Sequence, residues 1–214
     1  MVKFISFDMD GTLIDSVFTD WVWSHGIPTL YSAKTGLSFD EAKTFVEGEY
    51  RKVGEGAIEW YDIKHWFRLF QLQEDWRTLM RRYADKINVY GDASRILEGL
   101  KGRFPMVLTS NAGREFIEIE LGATGLGRYF DRIFSATSDF GEVKKTADFY
   151  QRICQILEVS PEEVVHVGDH YDFDYRVPRV LGIQAFYLDR TRQRTGDFIL
   201  SDLRQLEERL PERT

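Results

Sequence analysis

Apolar positions along this chain follow two rhythms. Short apolar or β-branched runs at Lys3–Phe7, Met106–Leu108, Arg132–Ser135, Val164–Val167 and Ile183–Leu188, with a weaker one at Phe198–Leu200, predict strands covered on both faces. Between them the apolar spacing turns helical over Ala93–Leu100, with Asp92 as its cap, and over Arg114–Leu121, Thr146–Leu157 and Asp174–Leu181. Buried strands separated by helices predict an α/β fold with a Rossmann-like, doubly wound parallel sheet. In such a sheet ligands bind beyond the carboxyl ends of the strands, at the point where the strand order reverses.

Residues 16–88 break this alternation. They hold no convincing strand, only helical segments interrupted at Gly26, Gly36 and Gly54. Ser38 followed by Glu41 forms a capping box for a helix through Val53, and Ile58–Phe70 and Glu74–Ile87 continue the helical pattern. The expected organisation is a core of residues 1–15 and 89–214 with an all-helical domain, 16–88, inserted between its first two strands.

The first predicted strand carries the most telling chemistry. It ends Phe7-Asp8-Met9-Asp10-Gly11-Thr12-Leu13, so two aspartates one residue apart run into a Gly-Thr turn. Repulsion and desolvation both oppose that placement, and strand alternation points the two side chains the same way. Carboxylates converging there can share a divalent cation, attack an electrophile, or divide acid and base duties.

Asp8-Met9-Asp10-Gly11-Thr12-Leu13 resembles the first motif, D-x-D-G-T-L, of the haloacid dehalogenase-like (HAD) superfamily. The resemblance implies phosphoryl transfer through an aspartyl-phosphate, with the helical insert as a cap. Three further segments follow in the family's order. Thr109-Ser110-Asn111 closes the second strand, where a hydroxyl and free helix N-terminal amides suit a phosphate; the resemblance selects Ser110 and Asn111 as phosphate ligands. Lys144-Lys145-Thr146 precedes a helix, and a fixed cation there would offset charge on the phosphoryl oxygens. The family carries Lys-Pro with an aromatic six residues after the lysine, so counting back from Tyr150 selects Lys144, with Lys145 the alternative. Finally Gly168-Asp169-His170-Tyr171-Asp172-Phe173-Asp174 resembles G-D-x(4)-D. The resemblance implies a magnesium site of Asp8, the Asp10 backbone carbonyl and Asp169, with Asp174 orienting its waters or the lysine.

The remaining polar and aromatic residues carry less. His166, inside an apolar strand, reads as a satisfied core histidine; His170 could approach the site; Trp21, Trp23 and His25 are candidates for substrate contact. Trp60, Ile63, Phe67 and Phe70 share a helical face that reads as packing, as does Cys154, the sole cysteine.

Composition narrows the function classes. The chain has 214 residues, 43% of them hydrophobic, enough to bury a core, and a formal charge of −7 that disfavours nucleic acids and anionic membranes as partners. It opens directly on a strand, and no apolar run approaches the roughly 18 residues of a membrane span, so a cytoplasmic location is expected. These readings converge on a magnesium-dependent phosphatase of small phosphorylated molecules, with Asp8 as nucleophile and Asp10 as general acid and base. A haloacid dehalogenase would lack the second aspartate. A sugar phosphomutase tends to carry histidine and lysine early in the cap, where this chain reads Val17-Phe18-Thr19-Asp20-Trp21. A receiver-type signalling module would place its aspartate mid-chain without a helical insert.

Overall fold

The computed structural model of the protein describes residues 1–211. Its six strands are β1 (Phe4–Phe7), β2 (Met106–Ser110), β3 (Arg132–Ser135), β4 (Val164–Gly168), β5 (Gln184–Leu188) and β6 (Ile199–Leu200). They form one sheet in the order β3-β2-β1-β4-β5-β6, with all pairs parallel. The chain therefore starts in the middle, builds outward through β2 and β3, then returns to build the other side from β4. The reversal falls between β1 and β4, where Ile5 pairs with Val165 and Phe7 with Val167. The Rossmann-like α/β fold expected from the hydrophobic pattern is the observed one.

Strand alternation divides the interior into two layers. Ile5, Phe7, Met106, Leu108, Val165 and Val167 pack on one face with Phe186 and Leu188. Val107, Phe134 and Val164 pack on the other, with Phe149, Tyr150, Ile153 and Cys154 of the helix Ala147–Ile156. Ser6, Thr109 and His166 have the parity of this second face, so β1, β2 and β4 each send a polar side chain into it, toward the strand ends.

Between β1 and the helix Gly91–Leu100 every regular element is helical. This part has its own apolar cluster, including Phe18, Val46, Tyr50, Trp66, Phe67 and Phe70, which also takes in Phe116 from the helix Arg114–Thr124. Ser38 caps the helix Phe39–Val53 through a complete box with Glu41, as expected. The two chain crossings run side by side: Ile14 bridges to Asp10 and Val89, and Asp15 N–H donates to the Asn88 carbonyl.

Several helices differ in detail from the sequence pattern. Ile58–Phe70 splits into a 3-10 turn, Ile58–Tyr61, and the helix Ile63–Leu69, because Asp62 caps the latter by accepting from Lys64 N–H. Glu74–Ile87 likewise starts late, at Trp76, behind the cap Asp75. Asp92 is not a cap: Tyr90 holds that position, and Asp92 lies in the first turn, paired with Arg190. Asp174–Leu181 becomes a wide π-type turn, Tyr171–Arg176, followed by the short helix Val177–Val180, since Pro178 has no N–H to continue a ladder.

Trp66 is fully buried in the helical cluster, stacked on Phe70 and edge-on to Tyr50, and its indole N–H donates to the Trp60 carbonyl at 3.3 Å. Trp66→Ala is expected to cost about 3–5 kcal/mol in urea unfolding, the range for emptying an aromatic core site; a loss below about 1 kcal/mol would show that the cluster collapses around the gap.

Candidate active site

Asp8 follows β1 directly and keeps its parity with Ser6, while its N–H donates to the Val167 carbonyl and so continues the pairing with β4. The chain then turns at Gly11, at φ +78°, where a Cβ would stand 2.1 Å from Asp169 Oδ2. Glycine is required twice over, by the left-handed backbone and by the close approach. The turn brings the Thr12 hydroxyl within 3.1 Å of Asp8 Oδ2 and 3.3 Å of Asp169 Oδ1. With a single proton, it can donate to only one of them at a time. From the end of β2, buried Ser110 accepts from Ala112 N–H at 3.0 Å, and Asn111 Oδ1 accepts from Lys145 N–H at 2.8 Å.

That last contact corrects the choice of lysine. Lys145, not Lys144, reaches the site: its Nζ donates to Asp8 Oδ1 at 2.5 Å, pairs with Asp174, and lies 3.4 Å from the Thr109 carbonyl. The side chain is 1% exposed. Thr146 caps the following helix and Asn111 pins the Lys145 amide, so the backbone just before the cap is fixed with Lys145 facing inward. Lys144, one residue earlier, packs its ammonium over the Phe173 ring at 5.0 Å.

Asp8, Asp169 and Asp174 each offer an oxygen within 4.8 Å of the others, a grouping able to hold a metal ion. Their engagements differ. Asp174 Oδ1 accepts from His166 at 3.1 Å and pairs with Lys145, and Oδ2 accepts from His170 N–H at 3.0 Å. Gly168 makes room for it, since a Cβ there would stand 2.4 Å from Asp174 Cγ. Asp174 is thus better placed to orient the lysine than to ligate a metal. Behind it His166 continues a buried chain, Nδ1 to Ser6 Oγ at 2.9 Å and Ser6 to Thr109 Oγ1 at 3.0 Å.

The charges explain the protonation states. Burial alone would lower the Lys145 pKa, but Asp174 and Asp8 outweigh it and hold the ammonium charged. Burial would raise Asp174, yet Lys145 and His166 keep it ionised, well below the usual carboxylate range. At Asp169 the balance reverses: burial, with Asp8 and Asp174 nearby, outweighs Lys145 and the Thr12 hydroxyl and pushes it up to about 8. Asp10 is raised to about 7, by burial first and by Asp8 second. Its Oδ1 is buried without a hydrogen-bond partner.

Asp10 also borders a cavity of about 200 Å³, walled by Trp23 and Tyr61 of the helical part and by Asn111 and Phe116 of the sheet part. Trp23 stacks on Phe116 with ring centroids 5.2 Å apart. Of the other aromatic candidates, Trp21 stacks on His25 instead, and His170 stacks on Phe173 with its ring exposed.

A family model described as haloacid dehalogenase-like hydrolase matches residues 2–182. The chain belongs to the haloacid dehalogenase-like hydrolases. Among its HAD relatives, the GMP/IMP nucleotidase YrfG of Escherichia coli is 26% identical over 169 residues, covering 78% of this chain and 74% of the relative. The glyceraldehyde 3-phosphate phosphatase of Methanocaldococcus jannaschii is 20% identical over 96% of both chains. A solved HAD phosphatase from Thermococcus onnurineus superposes with a TM-score of 0.80 at 27% identity, over 97% of each chain. Among the described residues no helix is long and apolar enough to cross a membrane.

Three participants in this HAD site escaped the sequence reading. Thr12 lay within the first motif without an assigned role. His166 is a satisfied core histidine as expected, yet what satisfies it is Asp174, a link that strand parity with Ser6 could have flagged. Tyr150, used only to count registers, donates its hydroxyl to the Phe173 carbonyl at 2.9 Å and lies 3.1 Å from His166 Nε2.

Removing a buried ammonium between two carboxylates leaves them unpaired. Lys145→Ala is therefore expected to lower stability by about 3–5 kcal/mol at pH 7 in metal-free buffer, whereas Lys144→Ala should change it by less than about 0.5 kcal/mol. Equal effects in denaturant titrations would contradict the placement.

Proposed function

We propose that this hydrolase is a magnesium-dependent phosphatase of small phosphorylated metabolites that works through an aspartyl-phosphate. The observation carrying this reading is Asp8: a buried carboxylate at the head of the switch point, aligned by Lys145 and Thr12, with the raised carboxyl of Asp10 two residues on beside a cavity. In the proposed reaction an Asp8 oxygen forms a bond to phosphorus as the bond to the leaving oxygen breaks. Asp10 gives that oxygen its proton. Asp10, now ionised, takes a proton from water as the water attacks phosphorus, and the Asp8–phosphorus bond breaks to release inorganic phosphate. Lys145, the Ser110 hydroxyl and the Asn111 amide N–H groups hold the phosphoryl oxygens. The helical segment 16–88 serves as a cap that excludes bulk water.

The donor set fits magnesium. It is all oxygen, and the three grouped carboxylates face one ammonium, a deficit of positive charge that shows in the raised Asp169. Asp8, Asp169 and the Asp10 backbone carbonyl would hold the ion, with Asp174 orienting Lys145. When bound, the ion supplies positive charge to the phosphoryl oxygens.

Among small substrates, nucleoside monophosphates are the leading candidates. Trp23, Tyr61 and Phe116 offer flat apolar walls next to the acid Asp10, suited to stacking a base, and the relative YrfG is named for GMP and IMP. The test is a panel of nucleoside monophosphates, sugar phosphates, phosphoglycolate and phosphoamino acids against p-nitrophenyl phosphate. One or a few members should show far higher kcat/KM than the aryl phosphate; efficient release from a phosphoprotein with uniformly poor panel rates would refute the small-substrate reading. On the best substrate, Asp8→Asn should abolish turnover and Asp10→Asn should lower it by roughly 10²–10⁴-fold.

The raised Asp169 makes the metal compete with a proton. The ion binds the ionised carboxylate, and with a folded-state pKa of about 8 that form is scarce at pH 6 and abundant above pH 8. Apparent magnesium affinity should therefore rise by about tenfold per pH unit over this window and level off above it. Calorimetric titration across the window checks this, and a flat profile would mean that Asp169 is not a ligand.

A further inference from the structure

A second cavity, of about 550 Å³, lies on the carboxyl side of β5, and none of the catalytic carboxylates lines it. Its walls come from three separate stretches of chain: Tyr90 with Asp92 and Arg95, Arg190 with Arg192, and Ser201 with Asp202 and Arg204. Four arginines against two aspartates leave this lining at +2, in a chain whose formal charge is −7. Arg204 is held by both oxygens of Asp202. Among the described residues the Arg95 and Arg192 side chains have no ion-pair or hydrogen-bond partner, so two guanidinium forks stand uncommitted.

Arg190 connects this groove to the catalytic loop. Its Nε donates to the Gly11 carbonyl at 3.1 Å and its Nη2 to the Thr12 carbonyl at 2.5 Å. The same guanidinium makes a two-pronged pair with Asp92 at 3.0 and 3.1 Å and lies 3.7 Å over the Tyr90 ring. Gly11 and Thr12 form the turn whose hydroxyl touches Asp8 and Asp169. Nearly every donor of Arg190 is in use, so it cannot tighten on a new anion without loosening on Asp92 or on these carbonyls.

We propose that this groove is a binding site for a small organic phosphate dianion, distinct from the catalytic pocket and coupled to its loop through Arg190. The charge calls for a dianion, and planar guanidinium forks match phosphoryl oxygens in pairs. The volume leaves room for an organic portion beyond the phosphoryl group.

Phenylphosphonate, a dianion that cannot be hydrolysed, is the probe, with inorganic phosphate as the comparison arm. Titrated into the ¹⁵N-labelled protein at pH 8, phenylphosphonate should shift the Nε–H resonances of Arg95, Arg190, Arg192 and Arg204 saturably, at lower concentration than inorganic phosphate. Arg95→Glu/Arg192→Glu, two changes at exposed side chains, should weaken that binding by about tenfold or more. The double variant should keep its kcat on p-nitrophenyl phosphate without phosphonate. At fixed free magnesium, saturating phenylphosphonate should change kcat of the wild type and not of the double variant, whereas occupancy of the catalytic pocket alone would raise only KM. Shifts confined to Ser110 and Asn111, equal affinity in the double variant, or tighter binding of inorganic phosphate would overturn the site. Purely competitive kinetics would overturn its coupling. A protein that turns over no phosphomonoester would defeat the proposed function, while the resonance titration would still decide the groove.

Discussion

Lys145 sits between Asp8 and Asp174 with all three side chains buried, and each arrives from a different part of the sheet: Asp8 behind β1, Lys145 beyond β3, Asp174 after β4. Taking such charges out of water costs several kcal/mol per ion, and their attraction repays it only when geometry and further hydrogen bonds are favourable. Both supports are present. His166 and a backbone amide complete Asp174, Thr12 completes Asp8, and Asn111 fixes the lysine's own backbone. Replacing a buried charged triad by apolar side chains of similar volume is often neutral or stabilising. The retention of this triad is therefore best explained by the orientation it imposes on Asp8.

The sheet supporting this triad was largely legible, because fully covered parallel strands write themselves as short apolar runs bounded by turns. Strand ends and the capping box follow from local chemistry, and the family resemblance brings Asp8 and Asp169 into one site; the strands that deliver them, β1 and β4, are neighbours in the sheet. What the sequence could not resolve was the register of adjacent identical residues. Lys144 and Lys145 have the same chemistry, and the missing proline removed the local marker; the decision lies with Asn111, 34 residues away. The sequence also leaves open whether Asp174 orients the metal's waters or the lysine. Asp174 carries the aspartate type of a metal ligand, but only the folded chain shows both its oxygens engaged by protein donors.

Substrate recognition was illegible for a related reason. Trp23 is one of three candidates for substrate contact after the first motif, but nothing in the sequence separates it from Trp21 and His25 or marks Phe116, inside a helical segment, as its partner. Folding stacks Trp23 and Phe116 across the boundary between the helical part and the sheet, beside Asp10. Neither periodicity nor spacing distinguishes an aromatic that lines a cavity from one that fills a core. The difference lies in what the opposite element leaves empty.

Two raised carboxyls give the proposed site its internal logic. Asp169 and Asp10 are both pushed up by burial and by Asp8, but they face different ways. Asp169 lies against Thr12 within the group of oxygens able to hold a cation, so a bound cation would return it to the ionised form. Asp10 Oδ1 has no hydrogen-bond partner and its residue borders the cavity, and burial with the Asp8 charge outweighs the pull of Lys145 and of its own backbone N–H. A carboxyl near neutrality can hold a proton against the leaving oxygen and, once emptied, accept one from water, because neither state lies far from ambient pH. In the proposed mechanism the same desolvation leaves one aspartate ready to lose its proton to solvent when a cation binds and the other ready to give its proton to the leaving oxygen.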